Sequence, residues 1–148
     1  MAKETLRKLG LLQSKIEMRK EELEYLDAAR YSLGGFDYGK ERVQSSGPSN
    51  RVEDLSVRYM DLQRKISELV LEYVQEKERI ISLIEMIDDS RFIQILDMHY
   101  IRGMTFDEMV YGENSWCYSS RQTYRLHGLA LSALDVILQS EEQKQSAA

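Results

Sequence analysis

The sequence is poor in the residues that make small, cross-linked or turn-rich folds: one cysteine, one proline, one tryptophan and eight glycines in 148 residues. The lone Cys117 excludes an internal disulfide framework and any cysteine-rich zinc or iron–sulfur site, and it fits a reducing compartment. So little proline and glycine argues against a turn-dense β-sandwich or barrel. Basic charge is also in deficit, with 20 Lys and Arg against 25 Asp and Glu, a net of −5. That balance excludes a nonspecific nucleic-acid coat, but not a local DNA-reading surface. No window approaches the ~18 apolar residues of a membrane span. The run Leu9-Gly10-Leu11-Leu12 is too short and interrupted for a signal-peptide core. A cytoplasmic protein without membrane contact is therefore expected. No phosphate-cradling glycine loop, nucleophile elbow or zinc motif occurs, so no catalytic residue, cofactor or metal is assigned and no enzyme is expected.

What is present is helical periodicity. Four of the glycines (Gly34, Gly35, Gly39, Gly47) and the single Pro48 fall within one stretch, which marks residues 34–50 as a loop. Before it, every third and fourth residue gives Leu9, Leu12, Ile16, Arg19, Leu23, Leu26, Arg30 and Leu33, six of eight aliphatic. After it, the same spacing gives Val52, Leu55, Tyr59, Leu62, Ile66, Leu69, Tyr73, Glu76, Ile80, Leu83 and Ile87, ten of eleven apolar. A seam sustained for about five heptads meets the coiled-coil criterion. A helix over 51–89 is nearly 60 Å long at 1.5 Å per residue, roughly, and needs a long partner. The first helix running back antiparallel supplies most of one, and a second copy of the chain supplies the rest. Leu55, Tyr59, Leu62, Ile66, Leu69, Tyr73, Ile80 and Leu83 are the candidate oligomerisation residues. The charged seam residues Arg19, Arg30 and Glu76 either set register or snorkel at a wet seam.

From Ser90 the pattern shortens. Residues 90–102 read as a short helix with Ser90 as N-cap and Gly103 as its stop. Thr105-Phe106-Asp107-Glu108 is a capping box that opens a second short helix over about 105–111. Ser119-Ser120-Arg121-Gln122 opens a third that runs to about Gln139, with Thr123, Leu126, Ala130, Ala133 or Leu134, and Ile137 on its apolar face. The tail 140–148 is polar and expected to fray. Two helices joined by a brief turn and braced by a preceding one form the helix-turn-helix arrangement, whose last helix enters the DNA major groove. The residues so presented are Ser119, Ser120, Arg121, Gln122, Tyr124 and Arg125, with His127 and Gly128 behind them. Arg pairs with guanine O6/N7 and Gln with adenine N6/N7, while hydroxyls and helix N-terminal amides suit phosphates. Residues 114–134 hold no Asp or Glu, although 90–148 as a whole carry five basic against seven acidic residues.

Other residues have plainer roles. His99 and His127 lack metal-ligand spacing to Cys117 or to a carboxylate; His99 is expected in the small bundle, His127 at the surface or facing phosphate. Asp107 and Glu108 suit the first turn of a helix, and Asp88 and Asp89 a capping role. Trp116 and Tyr118 are expected to plug the three-helix core, the alternative being a partner contact.

Three blocks carry a resemblance. The first is Gly34-Gly35-Phe36-Asp37-Tyr38 with Arg42-Val43-Gln44-Ser45-Ser46 and Ser49-Asn50-Arg51-Val52-Glu53-Asp54-Leu55. The second runs from Tyr100 through Arg102-Gly103-Met104-Thr105-Phe106 to Glu108. The third is Tyr118-Ser119-Ser120-Arg121-Gln122-Thr123-Tyr124-Arg125-Leu126-His127-Gly128. Over nearly the whole chain, these resemble small proteins encoded by phages and prophages of Gram-positive bacteria. The C-terminal part is similar to region 4 of sigma factors and to late transcription regulators of the ArpU and RinA type. The resemblance implies a sequence-specific transcription regulator of late or packaging genes in a bacterial host. It implies a recognition helix at 119–128 and a supporting helix at 105–111. Two features depart from it: the stretch 112–118 is longer than the family's turn, and His99 stands where Arg is common.

The expectation is therefore an all-α protein, with a coiled-coil helical hairpin over 1–89, a helix-turn-helix DNA-binding domain over 90–139 and a flexible tail over 140–148. The partners expected are double-stranded DNA, a second copy or a higher homo-oligomer, and host RNA polymerase. Two rivals remain. One is a terminase-small-subunit-like DNA-packaging adaptor, disfavoured because such proteins place the DNA-binding part first. The other is a protein-interaction module without DNA binding.

Overall fold

The computed structural model describes residues 1–34 and 48–148. Most of the expected loop 34–50, including all of the Gly-Gly-Phe-Asp-Tyr block after Gly34, lies outside the described residues. The protein is all-α, with no strand among the described residues. The elements are α1 (Ala2–Gly34), α2 (Pro48–Glu85), α3 (Ser90–Leu96), a π-helical turn (Asp97–Ile101), α4 (Phe106–Tyr111) and α5 (Ser120–Ala147). They form two compact units, Leu12–Tyr73 and Met1–Leu11 with Val74–Ala148.

The Leu12–Tyr73 unit is built on the expected seam. Leu12, Ile16 and Leu62 are buried, while Leu23, Leu26, Leu55, Tyr59, Ile66, Leu69 and Tyr73 are half-buried. Leu26 and Leu62 line one groove together with Arg19, Glu22, Arg58, Asp61 and Lys65. The seam arginines find partners at once. Arg19 pairs with Glu22 at 2.9 Å on its own helix. Arg30 pairs with Asp27 at 2.8 Å and also places its guanidinium 4.3 Å over the Tyr59 ring, a cation–π contact from α1 to α2. A second set of apolar residues stays in water: Met18, Tyr25, Val57, Met60 and Leu71 are each more than half exposed.

The other unit has the denser core. Leu6, Leu9, Ile80, Leu83, Ile84, Ile87, Ile95, Leu96, Met109, Leu126, Ala130, Leu134 and Leu138 are all buried. Glu76, the third charged seam residue, bonds Arg79 at 3.2 Å. Helix α2 tightens as it ends, with the amides of Met86 and Ile87 bonding carbonyls three residues back. Asp89, not Ser90, caps α3: its carboxylate accepts from the Arg91 amide at 2.9 Å, and its two oxygens grip the Arg91 guanidinium at 3.1 and 2.8 Å. That pairing holds the Asp89 carboxyl below its usual range. The helix then widens into the π-turn, closed by Arg102 N–H to the Asp97 carbonyl. The chain leaves through Gly103 at φ +72°, a left-handed conformation that costs glycine little. The capping box at α4 is complete, with the Glu108 amide donating to Thr105 Oγ1 and the Thr105 amide donating to Glu108 Oε2. Helix α5 runs on to Ala147, past the end expected near Gln139. Residues 140–147 contain neither Gly nor Pro, so no helix breaker interrupts it.

Candidate nucleic-acid interface

Helix α5 starts on a cap. Ser119 Oγ accepts from the Gln122 amide at 3.3 Å, which satisfies one of the free N–H groups of the first turn. One turn in, Thr123 is fully buried, and its Oγ1 donates to the Ser119 carbonyl at 2.9 Å while accepting from Trp116 Nε1 at 3.1 Å. Trp116 is half-buried, with Tyr118 edge-on at 4.7 Å, so the 112–118 stretch is pinned to the start of α5. The Trp116 amide also donates to the Met109 carbonyl. Buried Thr123, Leu126, Ala130, Leu134 and Leu138 fix which face of α5 points inward.

The outward face then follows. Ser119, Arg121, Gln122, Tyr124, Arg125 and Gly128 are exposed, and Ser120 is half-exposed. A methyl group added at Gly128 would meet open space. The eighth residue of the set, His127, turns the other way. It is half-buried, and its Nε2 lies 2.8 Å from the Tyr100 hydroxyl. Around it stand His99 at 5.6 Å, Tyr100 at 5.7 Å and Phe106 at 5.0 Å between ring centroids. Phe106 also packs on Tyr124 at 4.8 Å and stacks on His99 at 4.4 Å. His99 Nδ1 donates to the Met104 carbonyl at 2.7 Å. One ring system thus joins the π-turn, α4 and α5, and it orients the helix that carries the exposed arginines. Spacing alone does not signal this cluster, because its members lie as much as 28 positions apart.

Burial pushes His127 down to about 4, with the charges of His99 and Lys3 adding to the effect. The ring is therefore neutral at pH 7 and accepts the Tyr100 proton, and burial raises Tyr100 so that it keeps that proton. An unfolded chain binds a proton at this histidine below its ordinary value of about 6.5. The contribution of the neutral ring is thus complete above about 6.5 and is lost as pH falls toward 4. Urea midpoints of the wild type should fall between pH 7 and pH 5, and His127→Phe should flatten that drop. An equal drop in both proteins would refute the assignment. Asp89 acts in a lower window: its depressed carboxyl contributes above about 3.8, and that contribution is lost as pH falls further.

Among the described residues, no group of three or more His, Cys, Asp or Glu is placed to hold a metal ion. No helix among them is long and apolar enough to cross a membrane. No curated protein and no solved structure matches the chain. Residues 36–135, more than half of the 148, match the family described as "Protein of unknown function (DUF1492)", and the chain belongs to that family.

Proposed function

We propose that the protein is a sequence-specific DNA-binding transcription regulator of the sigma-region-4-like kind, acting on late or packaging genes of a phage in the cytoplasm of a bacterial host. In this reading α4 and α5 are the two helices of a helix-turn-helix and α3 braces them. Arg121, Gln122, Tyr124 and Arg125 contact base edges and phosphates, Ser119 and Ser120 meet the backbone, and His127 holds the tilt of α5 from behind. The observation that carries the reading is the acid-free first half of α5, capped at Ser119 and locked by buried Thr123 and Leu126, with those four side chains exposed on one helix. The Leu12–Tyr73 segment is read as an antiparallel hairpin, since Arg30 meets Tyr59 while the earlier Leu26 shares a groove with the later Leu62. It pairs two copies so that two recognition helices meet two half-sites, or it docks RNA polymerase. The half-buried seam residues Leu55, Tyr59, Ile66, Leu69 and Tyr73, and the exposed Val57, Met60 and Leu71 on the far side of α2, suit that pairing.

The test is binding to a phage late-promoter duplex and to a random duplex at two salt concentrations, for the wild type and Arg125→Ala. A bidentate arginine–guanine contact is worth about 1–3 kcal/mol. The variant should therefore lose roughly ten- to a hundredfold on the promoter and less on random DNA. Negligible binding by both proteins would refute the regulator. A large ring oligomer in light scattering would point instead to the packaging adaptor.

A further inference from the structure

Helix α1 carries an apolar stripe outside the seam. Leu11, Met18 and Tyr25 stand at successive seven-residue steps and are 63%, 58% and 74% exposed. At about 100° per residue they lie roughly 120° round the helix from the seam residues Leu12, Ile16, Leu23 and Leu26. Single exposed apolar residues are ordinary, but a strict seven-residue repeat is the spacing by which one helix packs along another. Between Leu11 and Met18 the stripe passes Ser14 and Lys15, and between Met18 and Tyr25 it passes Glu21 and Glu22, all four exposed. The order along it is thus apolar, basic, apolar, acidic, apolar, with Met18 at the centre. Met18 is also the midpoint of α1 (Ala2–Gly34). The charges of the helix divide at the same residue: four basic against two acidic before it, three basic against four acidic after it.

We propose that this stripe is a self-association surface, on which α1 of a second copy lies antiparallel about a two-fold axis at Met18. In that register Met18 meets the second copy's Met18, Leu11 lies opposite its Tyr25, and Lys15 lies opposite its Glu22. The last two contacts each occur twice, as a two-fold interface requires. Charge selects the direction. Reversal sets the more basic half of one helix against the more acidic half of the other, whereas a parallel pair sets like halves together. Glu22 already bonds Arg19 on its own helix at 2.9 Å, so Lys15 of the second copy completes a three-member charge group. The surface is separate from Val57, Met60 and Leu71 on α2, and a chain that pairs through both helices assembles beyond a dimer. The inference does not depend on DNA binding.

The experiment uses the full chain with Cys117→Ser, which removes the one native thiol. Oxidative cross-linking of introduced thiols then reads which positions meet, because a disulfide needs Cα atoms within about 7 Å. Met18→Cys should cross-link to a covalent dimer by itself. Leu11→Cys and Tyr25→Cys should each cross-link poorly alone and efficiently when mixed in equal amounts. Sedimentation equilibrium supplies the second measurement, in a Met60→Glu/Leu71→Glu background that leaves α1 as the pairing surface. There Met18→Glu should weaken association at least about a hundredfold, since the lost methionine burial and the carboxylate are each felt twice. Far-UV circular dichroism should stay as in the wild type, because all three α1 positions are exposed. Cross-linking of Leu11→Cys or Tyr25→Cys alone that exceeds that of the mixture would overturn the antiparallel register. Absence of a Met18→Cys dimer, or association unchanged by Met18→Glu, would overturn the α1 surface while leaving the promoter-binding test of Arg125→Ala unaffected.

Discussion

Met109→Ala is expected to destabilise the Met1–Leu11 and Val74–Ala148 unit by about 2–5 kcal/mol, the cost of emptying a packed methionine site. The reason lies in how little else holds α4. It has six residues, and an isolated helix of that length does not form in water. Met109 is its one buried side chain, with no exposed surface. The other anchors are the Phe106 ring against His99, Tyr124 and His127, the Thr105–Glu108 box at its start and the Trp116 amide on the Met109 carbonyl at its end. If the side chain is lost, α4 must either leave a void or shift. A shift moves Phe106, which packs on both Tyr124 and His127, so the presentation of α5 should fail with the stability. The single tryptophan lies in this unit. Urea unfolding followed by Trp116 fluorescence therefore reads the effect without interference from the other unit. Met109→Leu, which conserves volume, should cost less than about 1.5 kcal/mol. A loss below about 1 kcal/mol for the alanine variant would mean that the unit is not close-packed at this point.

The features legible in the sequence are those with a local cause. Thr105 and Glu108 announce a helix start because both partners of a capping box lie within one turn. Gly103 announces a stop because the left-handed position favours glycine. The long α2 seam is legible because a heptad pattern repeats often enough to outweigh its charged interruptions. Features set by contacts distant in sequence were not legible. The π-turn Asp97–Ile101 shifts the helical hydrogen bonding by a single residue, as in Arg102 N–H to the Asp97 carbonyl, and leaves no mark in composition. It places His99 and Tyr100 together against His127. His127 itself reads as a surface residue at its position on α5, and only Tyr100, 27 positions earlier, draws it inward. The eight candidate DNA contacts are legible because they fall within ten consecutive residues, 119–128. The cap of α3 fell to Asp89 in place of Ser90 because the carboxylate also binds the Arg91 guanidinium at two points, which a serine hydroxyl cannot do.

If two copies pair through α2, as proposed, Met60→Glu combined with Leu71→Glu is expected to abolish that pairing without unfolding the chain. On α2 the seam residues Leu55, Tyr59, Leu62, Ile66 and Leu69 share one face. At about 100° per residue, Val57, Met60 and Leu71 centre roughly 170° round the helix from it. These three are 58%, 67% and 59% exposed, and they stand three and eleven residues apart on one heptad stripe whose intervening positions are Arg64 and Ser67. A second copy is the occupant this stripe suits, because the same α2 then supplies both sides of the contact, and each substitution is felt twice in a two-fold interface. Burial of a Met or Leu side chain is worth about 1.5–3 kcal/mol, and a carboxylate in a dry seam adds a desolvation penalty. The double variant should therefore weaken association by at least about a hundredfold, or roughly 2.8 kcal/mol. Sedimentation equilibrium over a range of micromolar concentrations reads the change, and far-UV circular dichroism should stay as in the wild type because both positions face water within the chain. Leu62→Ala is the contrasting control: it lies 5% exposed in the seam, so its loss should lower the melting temperature. A wild type that sediments as a monomer throughout, or a double variant that associates as strongly as the wild type, would remove α2's outer stripe as the pairing surface.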